Sequence, residues 1–425
     1  MPQAKDGNNS ESTKMIDFTI PHETQDICDN LFRFIDQEVL PLEDANQELL
    51  GNPVKMFQED RHYVPELLAL RKQVRMESAK AGFYTMFGAE ELGGMGLGPL
   101  ESAHISEALN ERYGPGRSLI QTVVIPSPFT NGLSPVLRAL QPELIDHYLP
   151  DIASGEKTLC FGLSEPDAGS DVFNLKTTAV KEGDEWVING TKQWITNAPY
   201  ADYCMLFAIT DKELVEQRKG GITGFFVDTK LPGFDVTSVI PVMGYVGGDT
   251  GIIQIENLRV PDSHILGDVH KGLRVAMTGV NTGRIGMSAS CVGLARWALR
   301  QAVNYANQRK TFGTTIGNHQ AVQLMLADCA MDIYAGRNMV LNCAWKLSQG
   351  MPALKEISMN KAFNTEMVGR VMDRVIQIHG GMGLTNELKI EEGYRWARLL
   401  RIPDGTSEIQ RRTIALSLLK EDLDF

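Results

Sequence analysis

Three stretches of the chain differ in the spacing of their apolar residues. From about residue 16 to 157 these residues recur every three or four positions, as in Ile27, Leu31 and Ile35, and this period predicts amphipathic helices. From about residue 158 the pattern changes to short β-branched and aromatic runs such as YCMLFAI and GITGFFVD, which are typical of strands. Beyond residue 272 the helical spacing returns in long segments.

This order of patterns predicts an α+β protein with an N-terminal helical domain, a middle antiparallel β domain and a C-terminal helical bundle. The expected division is a polar and disordered leader at 1–15, then domains at 16–157, 158–270 and 271–425. Two local signals add detail. Asn189-Gly190 lies between alternating runs and predicts a hairpin turn, because both residues tolerate positive φ. Ser407 and Gln410 have the spacing of a capping box at the start of the last helix.

Composition narrows the class of partners. The 425 residues are 43% apolar and 22% charged, as in ordinary soluble globular proteins. A net charge of −12 argues against nucleic acid and against an anionic membrane surface. No run approaches the roughly 20 apolar residues of a membrane span. The first residues have neither an apolar signal core nor an Arg-rich transit pattern, so we predict a cytoplasmic location.

The cysteines are scattered and form no C-x-x-C pair, so the sequence indicates neither a disulfide framework nor a zinc site. The histidines are equally dispersed, and we expect no metal site. Free cysteine usually behaves as a small apolar residue, and we predict that all six are buried: Cys28, Cys160, Cys204, Cys291, Cys329 and Cys343.

Four motifs point to a specific chemistry. In chain order they are Phe161-Gly-Leu-Ser-Glu-Pro-Asp-Ala-Gly-Ser-Asp171, Trp194-Ile-Thr196, Arg309-Lys-Thr-Phe-Gly313 with Gln320, and Gln377-Ile-His-Gly-Gly381. Their order and spacing resemble those of acyl-CoA dehydrogenases, a flavoprotein superfamily that also includes acyl-CoA oxidases and nitroalkane oxidases. The resemblance extends over nearly the whole chain from about residue 16. It implies FAD as cofactor, an acyl-CoA as substrate, and oxidation of a CH–CH bond.

The resemblance also assigns residues to the cofactor and the substrate. Small residues and hydroxyls in the first motif suit flavin and pyrophosphate oxygens, and alternate residues of a strand face one side, so that the indole and hydroxyl of the second motif can meet one ligand. The implied FAD contacts are Phe161, Leu163, Ser164, Gly169, Ser170, Trp194, Thr196, Arg309, Phe312, Gln320, Gln377, Gly380, Gly381, Thr406 and Glu408. The implied substrate contacts are Ser170, Asn281, Arg284 and Gly405.

In the family the FAD contacts of the third, C-terminal helical region reach the FAD of a neighbouring subunit. This implies a homo-oligomer, either a tetramer or a dimer. Simpler readings of single residues stay open. Trp194 could be an ordinary core tryptophan, and Arg309 could be a solvated charge at a helix end.

The expected catalytic base is Asp404. Most of the family has a glutamate immediately before the Gly-Thr that opens the last helix, and a second lineage carries its base at the position of Gly283. Aspartate is shorter by one methylene, and a misplacement of about 1 Å can cost ~100-fold in rate. We therefore expect a bulky, branched or otherwise atypical acyl group. The simpler reading is a helix N-terminal acid that interacts with the helix dipole.

Three functions are compatible with these motifs. The first is a dehydrogenase that passes electrons to an electron-transferring flavoprotein. The second is an oxidase of the acyl-CoA or nitroalkane type, in which oxygen is the acceptor. The third is a non-catalytic flavin-binding subunit, against which the carboxylate at position 404 argues.

Overall fold

The computed structural model describes residues 17–127, 131–243 and 248–423. It confirms the predicted α+β class, with helices, then a sheet, then a helical bundle. The predicted leader at 1–15 lies outside the described residues. No helix in the described part of the chain is both long enough and apolar enough to cross a bilayer.

The first region is helical. A π-helical turn at Ile35–Val39 joins its first two helices, and residues of several helices share one apolar core that includes Leu31, Val74 and Ile105. The helices are α1 (His22–Phe34), α2 (Leu40–Ala45), α3 (Gln47–Leu50), α4 (Pro65–Lys80), α5 (Pro99–Tyr113) and α6 (Pro142–Ala153).

The middle region forms one main sheet, whose strands and single short helix α7 (Lys212–Glu216) follow α6. The strands are β1 (Leu159–Gly162), β2 (Thr178–Glu182), β3 (Glu185–Thr196), β4 (Tyr203–Ile209), β5 (Ile222–Asp228), β6 (Phe234–Val239), β7 (Thr250–Pro261) and β8 (Ile265–Leu266). Their order is β6-β7-β3-β2-β4-β5-β8, and β1 pairs with β4. Most pairings are antiparallel, as expected, but β4 is parallel to both β1 and β2. The sheet is therefore mixed.

The predicted hairpin at Asn189-Gly190 is wrong. Both residues lie inside β3, where the register with β7 shifts between Ile188 and Gly190. The actual turn lies between Glu182 and Glu185, which pair across β2 and β3. An Asn-Gly pair suits a bulge as well as a turn, since both need unusual backbone angles. Gly190 has φ 154°, and a Cβ there would lie 2.4 Å from Oγ1 of Thr177.

The C-terminal region returns to helices after β8. A small hairpin of β9 (Lys310–Thr311) and β10 (Thr314–Thr315) interrupts it. Its apolar core includes Val292, Ala298, Val340 and Val371 from the long helices. The helices are α8 (Gly272–Gln308), α9 (Gln320–Ser348), α10 (Leu354–His379), α11 (Ile390–Leu399) and α12 (Ser407–Leu418).

Two further sequence predictions can be compared with the structure. All six cysteines are buried and free, as predicted. The capping box at Ser407 and Gln410 is wrong, because the N-cap of α12 is Thr406, whose hydroxyl accepts a hydrogen bond from the Ile409 amide. Ser407 and Gln410 are buried instead.

We predict that Gly190→Ala destabilises the protein by about 2 to 4 kcal/mol, since the new methyl group would overlap Thr177 in a backbone conformation that disfavours side chains. Denaturant unfolding of the two proteins measures the difference. The matched control is Gly183→Ala, at φ 62° with no atom within 4 Å of the added Cβ, which should cost only about 1 kcal/mol. Equal losses in the two variants would contradict the proposed overlap at position 190.

Candidate functional site

The structure brings the first two motifs together. The Gln193 amide of β3 donates to the Ser164 carbonyl at 3.0 Å. The Lys192 ammonium donates to the Leu163 carbonyl at 3.1 Å and to the Glu165 carboxylate at 2.7 Å. The loop that follows β1 is therefore held against the strand that carries Trp194.

Lys192 and Glu165 form a buried ion pair beneath this loop, with side chains 0% and 2% exposed. Burial would raise the pKa of Glu165, but Lys192 and the amides of Lys176 and Thr177 outweigh it and lower that pKa. Burial lowers the pKa of Lys192, and Glu165 opposes this shift. Because each charge depends on the other for compensation, the pair fixes the loop to the strand.

Trp194 and Thr196 lie at the end of β3, where the register with β7 shifts between Lys192 and Ile195, so regular strand alternation does not hold there. That the two side chains meet one ligand stays a prediction. Both are exposed, while Ile195 between them is buried. The Trp194 indole is 55% exposed, and its backbone has φ 65°. The reading of Trp194 as a core residue is therefore wrong. In the neighbouring loop, Gly169 and Ser170 are also exposed.

The third-region residues lie at helix ends on the surface of the chain. Arg309 ends α8, and Gln320 begins α9. Phe312, in the hairpin between them, is 98% exposed with φ 52°. A glycine pair follows α10, with Gly380 at φ 58°. The exposed members of this group are Arg309, Phe312, Gln320, Gln377, Gly380 and Gly381.

These residues fit the cofactor that the resemblance implies. A flavin dinucleotide needs an aromatic surface beside its ring, hydroxyl donors near the ring, and donors for its pyrophosphate. Trp194 and Thr196 offer the first two, and Ser170 and Arg309 offer hydroxyl and guanidinium donors. The individual contacts with FAD stay predictions.

Asp404 lies in a left-handed turn before α12. Its φ is 56°, and that of Gly405 is 87°. The Asp404 carbonyl accepts from Nε of Arg284 at 2.8 Å and from Nε2 of Gln410 at 3.1 Å. The Gly405 carbonyl accepts from Nζ of Lys361 at 2.8 Å and from Nε2 of Gln410 at 3.0 Å. Side chains from α8, α10 and α12 thus hold both carbonyls of the turn.

This environment changes the acidity of the carboxyl. Burial raises the pKa of Asp404 to about 6, while Lys361 and Arg284 act in the opposite direction. A carboxyl with such a pKa is ionised at neutral pH and can take up a proton. The neighbouring Glu408 differs, because its own backbone amide and Thr406 lower its pKa.

The remaining predicted residues lie around this turn. Arg284 is buried, and its Nη1 donates to Asn281 at 3.0 Å. Gly283 is buried in α8 beside it and carries no carboxylate. Sequence reasoning missed Lys361 and Gln410, which the structure places against the turn. A signal for Lys361 was available, since it follows the apolar period of α10 on its buried face.

Models of one protein family match most of the described residues. Residues 21–156 match the family model described as acyl-CoA dehydrogenase, N-terminal domain. Residues 160–258 match the middle domain and residues 270–419 the C-terminal domain of the same family.

Three relatives have similar sequences. The 3-(aryl)acrylate reductase of Clostridium sporogenes is 38% identical over 349 residues, which are 82% of this chain and 90% of the relative. The caffeyl-CoA reductase-Etf complex subunit CarC of Acetobacterium woodii is 34% identical over 377 residues, or 89% and 96%. The (R)-benzylsuccinyl-CoA dehydrogenase of Thauera aromatica is 32% identical over 412 residues, or 96% and 98%.

Solved structures have the same fold. Butyryl-CoA dehydrogenase from Megasphaera elsdenii matches with a TM-score of 0.80 and 29% identity, over 95% of this chain and 100% of that one. The FAD complex of PigA matches with a TM-score of 0.81 and 26% identity, over 95% and 100%.

We predict that Asp404→Asn stabilises the protein at neutral pH. Because the pKa of Asp404 rises from 3.8 to about 6 on folding, the folded state keeps a proton that the unfolded state has lost. Stability therefore falls as pH rises through this range, by up to about 3 kcal/mol. Asp404→Asn should gain that amount at pH 7, and the gain should vanish near pH 4. Denaturant unfolding across pH measures it.

The matched control is Asp332→Asn. Burial would raise the pKa of Asp332, but hydrogen bonds from Arg370 and Arg374 outweigh it and lower that pKa. This carboxylate therefore contributes stability at neutral pH, which is lost as pH falls, so the control should lose stability where Asp404→Asn gains it. A loss at pH 7 in both variants would refute the raised pKa of Asp404.

Proposed function

The chain belongs to the acyl-CoA dehydrogenase family, and from this premise we propose that it oxidises an atypical acyl-CoA thioester with Asp404 as the general base. Membership makes the chain an FAD-dependent oxidoreductase of the acyl-CoA dehydrogenase type. The finer proposal rests on the Asp404 carboxyl. This group is half-buried, its pKa is raised to about 6, and it lies in a turn held by side chains of three helices.

Asp404 would remove the proton from the carbon next to the thioester. That carbon is a very weak acid, so the base must be ionised yet poorly solvated when it acts. Burial keeps the carboxyl poorly solvated. Lys361 and Arg284 favour its ionised form. FAD, when bound, supplies the acceptor for the hydrogen that leaves the β-carbon.

Backbone amides would stabilise the charge that develops on the thioester oxygen. Asp404 keeps the N–H that Pro403 lacks. Because side chains fix the two carbonyls of the turn, the amides of this segment are also fixed in direction. Preorganised donors of this kind act without the cost of reorganisation during the reaction.

The proposed substrate is a bulky or branched acyl group. The turn is held from three helices, so its backbone has little freedom to advance a short side chain toward a straight acyl chain. The substrate must instead present its α-carbon closer to Asp404. Two of the relatives are named for aryl and benzyl groups, which supports bulky substituents.

The proposed electron acceptor is an electron-transferring flavoprotein. One relative is named as a subunit of an Etf complex. Trp194, which is exposed near the end of β3, would lie beside the flavin where a partner protein could approach. An oxidase is the alternative outcome.

The test of this function is anaerobic bleaching of the purified yellow protein by a panel of acyl-CoAs. Straight, branched, cyclic and aryl-substituted thioesters of equal carbon number should be compared. We expect the fastest bleaching with a bulky member, and slow peroxide formation when air is admitted. No bleaching by any thioester would rule out the dehydrogenase proposal, and peroxide formed at the rate of turnover would favour an oxidase.

We further propose that each FAD is shared between two subunits. Phe312 is an almost fully exposed aromatic side chain beside the charged Arg309. Exposed large apolar side chains commonly mark a surface that another molecule covers. A second copy of the chain with its FAD would cover both residues.

We predict that Asp404→Asn binds FAD but loses flavin reduction by ~10²–10⁴-fold, since removal of a general base costs about that much. Stopped-flow absorbance under anaerobic conditions measures the rate. The second variant, Asp404→Glu, should not accelerate the bulky substrate but should raise the relative rate on straight chains. Reduction by Asp404→Asn at near the original rate would mean that the base lies elsewhere.

We predict that Arg309→Ala weakens FAD binding by about 10- to 100-fold, the loss expected for a charged hydrogen bond to a phosphate. Flavin released on dilution, followed by fluorescence, measures the change. Arg33→Ala is the control, because Arg33 is an exposed arginine on α1 that donates a hydrogen bond to Asn30 on the same helix. A stable monomer of Arg309→Ala with full FAD occupancy would disprove the shared site.

A further inference from the structure

One side chain at the Asp404 turn is a fully buried cation. Lys361 lies on α10, is 0% exposed, and points its ammonium group at the Gly405 carbonyl from 2.8 Å. A lysine almost never lies fully inside a protein unless it is paired. Its bonded partner is a neutral carbonyl, so the compensating charge must come from a group nearby.

The charged and titratable groups that face Lys361 come from three elements. Asp404 precedes α12, Glu408 lies on α12, and Arg284 and Cys291 lie on α8. Burial raises the pKa of Cys291 to about 12, so this thiol stays neutral. Arg284 repels the ammonium, and Glu408 is exposed to solvent. Asp404 therefore supplies the main attraction.

The attraction is mutual. Lys361 and Arg284 are the charged groups that act on the Asp404 carboxyl within the part of the chain that the structure describes, and Lys361 has the larger effect. Nε of Arg284 donates a hydrogen bond to the Asp404 carbonyl, whereas Nζ of Lys361 donates to the Gly405 carbonyl. One cation thus holds each peptide of the turn.

We propose that Lys361 is a positioning residue of the reaction, whose ammonium group holds the Gly405 carbonyl and keeps the adjacent Asp404 carboxyl ionised in its buried site. The proposal rests on the proposed role of Asp404 as base. Gln410 is the comparison residue. Its side-chain amide donates to the Gly405 and Asp404 carbonyls at 3.0 and 3.1 Å without carrying a charge. Mechanical and electrostatic contributions to the turn can therefore be separated by mutation.

The test compares Lys361→Met with Gln410→Met across pH. Methionine is of similar size and removes the donor in both cases, but only Lys361→Met removes a charge. An opposite charge within about 4 to 6 Å lowers a carboxyl pKa by about 1 to 3. The acid limb of flavin reduction should therefore move upward by about one pH unit or more in Lys361→Met. Below that limb its rate should be at least about 10-fold lower than that of the original protein at equal pH.

Gln410→Met should reduce the rate at every pH and leave the acid limb in place. If both variants slow the reaction and neither moves the limb, Lys361 has only a structural role and the proposal is overturned. The same result follows if Lys361→Met behaves as the original protein does.

A second measurement does not depend on turnover. Infrared titration of the carboxyl band that disappears in Asp404→Asn reports the ionisation of Asp404 directly, in the folded FAD-bound protein. The band should titrate at higher pH in Lys361→Met than in the original protein, and an unchanged titration overturns the proposal. Failure of the original protein to be reduced by any acyl-CoA would instead count against the proposed function, because the infrared comparison stands without it.

Discussion

The turn at Asp404 and Gly405 depends on hydrogen bonds from three side chains to two backbone carbonyls. Asp404 and Gly405 adopt left-handed backbone angles in succession, a conformation that costs an aspartate about 1 kcal/mol. Arg284, Lys361 and Gln410 compensate by bonding both carbonyls. A Cβ at Gly405 would lie 2.7 Å from Nε2 of Gln410. Both the hydrogen bonds of Gln410 and the backbone angle therefore favour glycine at this position.

A second buried charge performs a related task in the β domain. Lys192 reaches the Leu163 carbonyl and the Glu165 carboxylate, and so joins the loop of the first motif to β3. In both places the ammonium group of a buried lysine holds a loop in position. Removal of that lysine would leave an uncompensated group. Each of these two segments is thus held in position by contacts within the chain itself.

The sequence predicted those features that depend on local period or on a contiguous motif. The change in apolar period predicted helices, then strands, then helices, and the Gly-Thr after Asp404 identified the candidate base. The Asn189-Gly190 hairpin failed because a bulge and a turn require similar backbone angles. Lys361 was missed because its place in the apolar period of α10 indicates burial but does not indicate the polar partner that a buried lysine needs. That distinction arises only when α10 packs against the turn.

The hydrogen bonds to the Asp404 and Gly405 carbonyls would also restrict the position of the proposed base. A longer or shorter carboxylate can usually be accommodated by a small backbone shift, but here a shift would break bonds to helices α8, α10 and α12 together. The position of the carboxyl is then set by the length of its side chain, and aspartate places it about one methylene further from the substrate than glutamate would. Under the proposed role of Asp404 as base, misplacement by about 1 Å is costly, so the acyl group would have to supply the missing reach. Substrate shape would then be coupled to the rigidity of this turn.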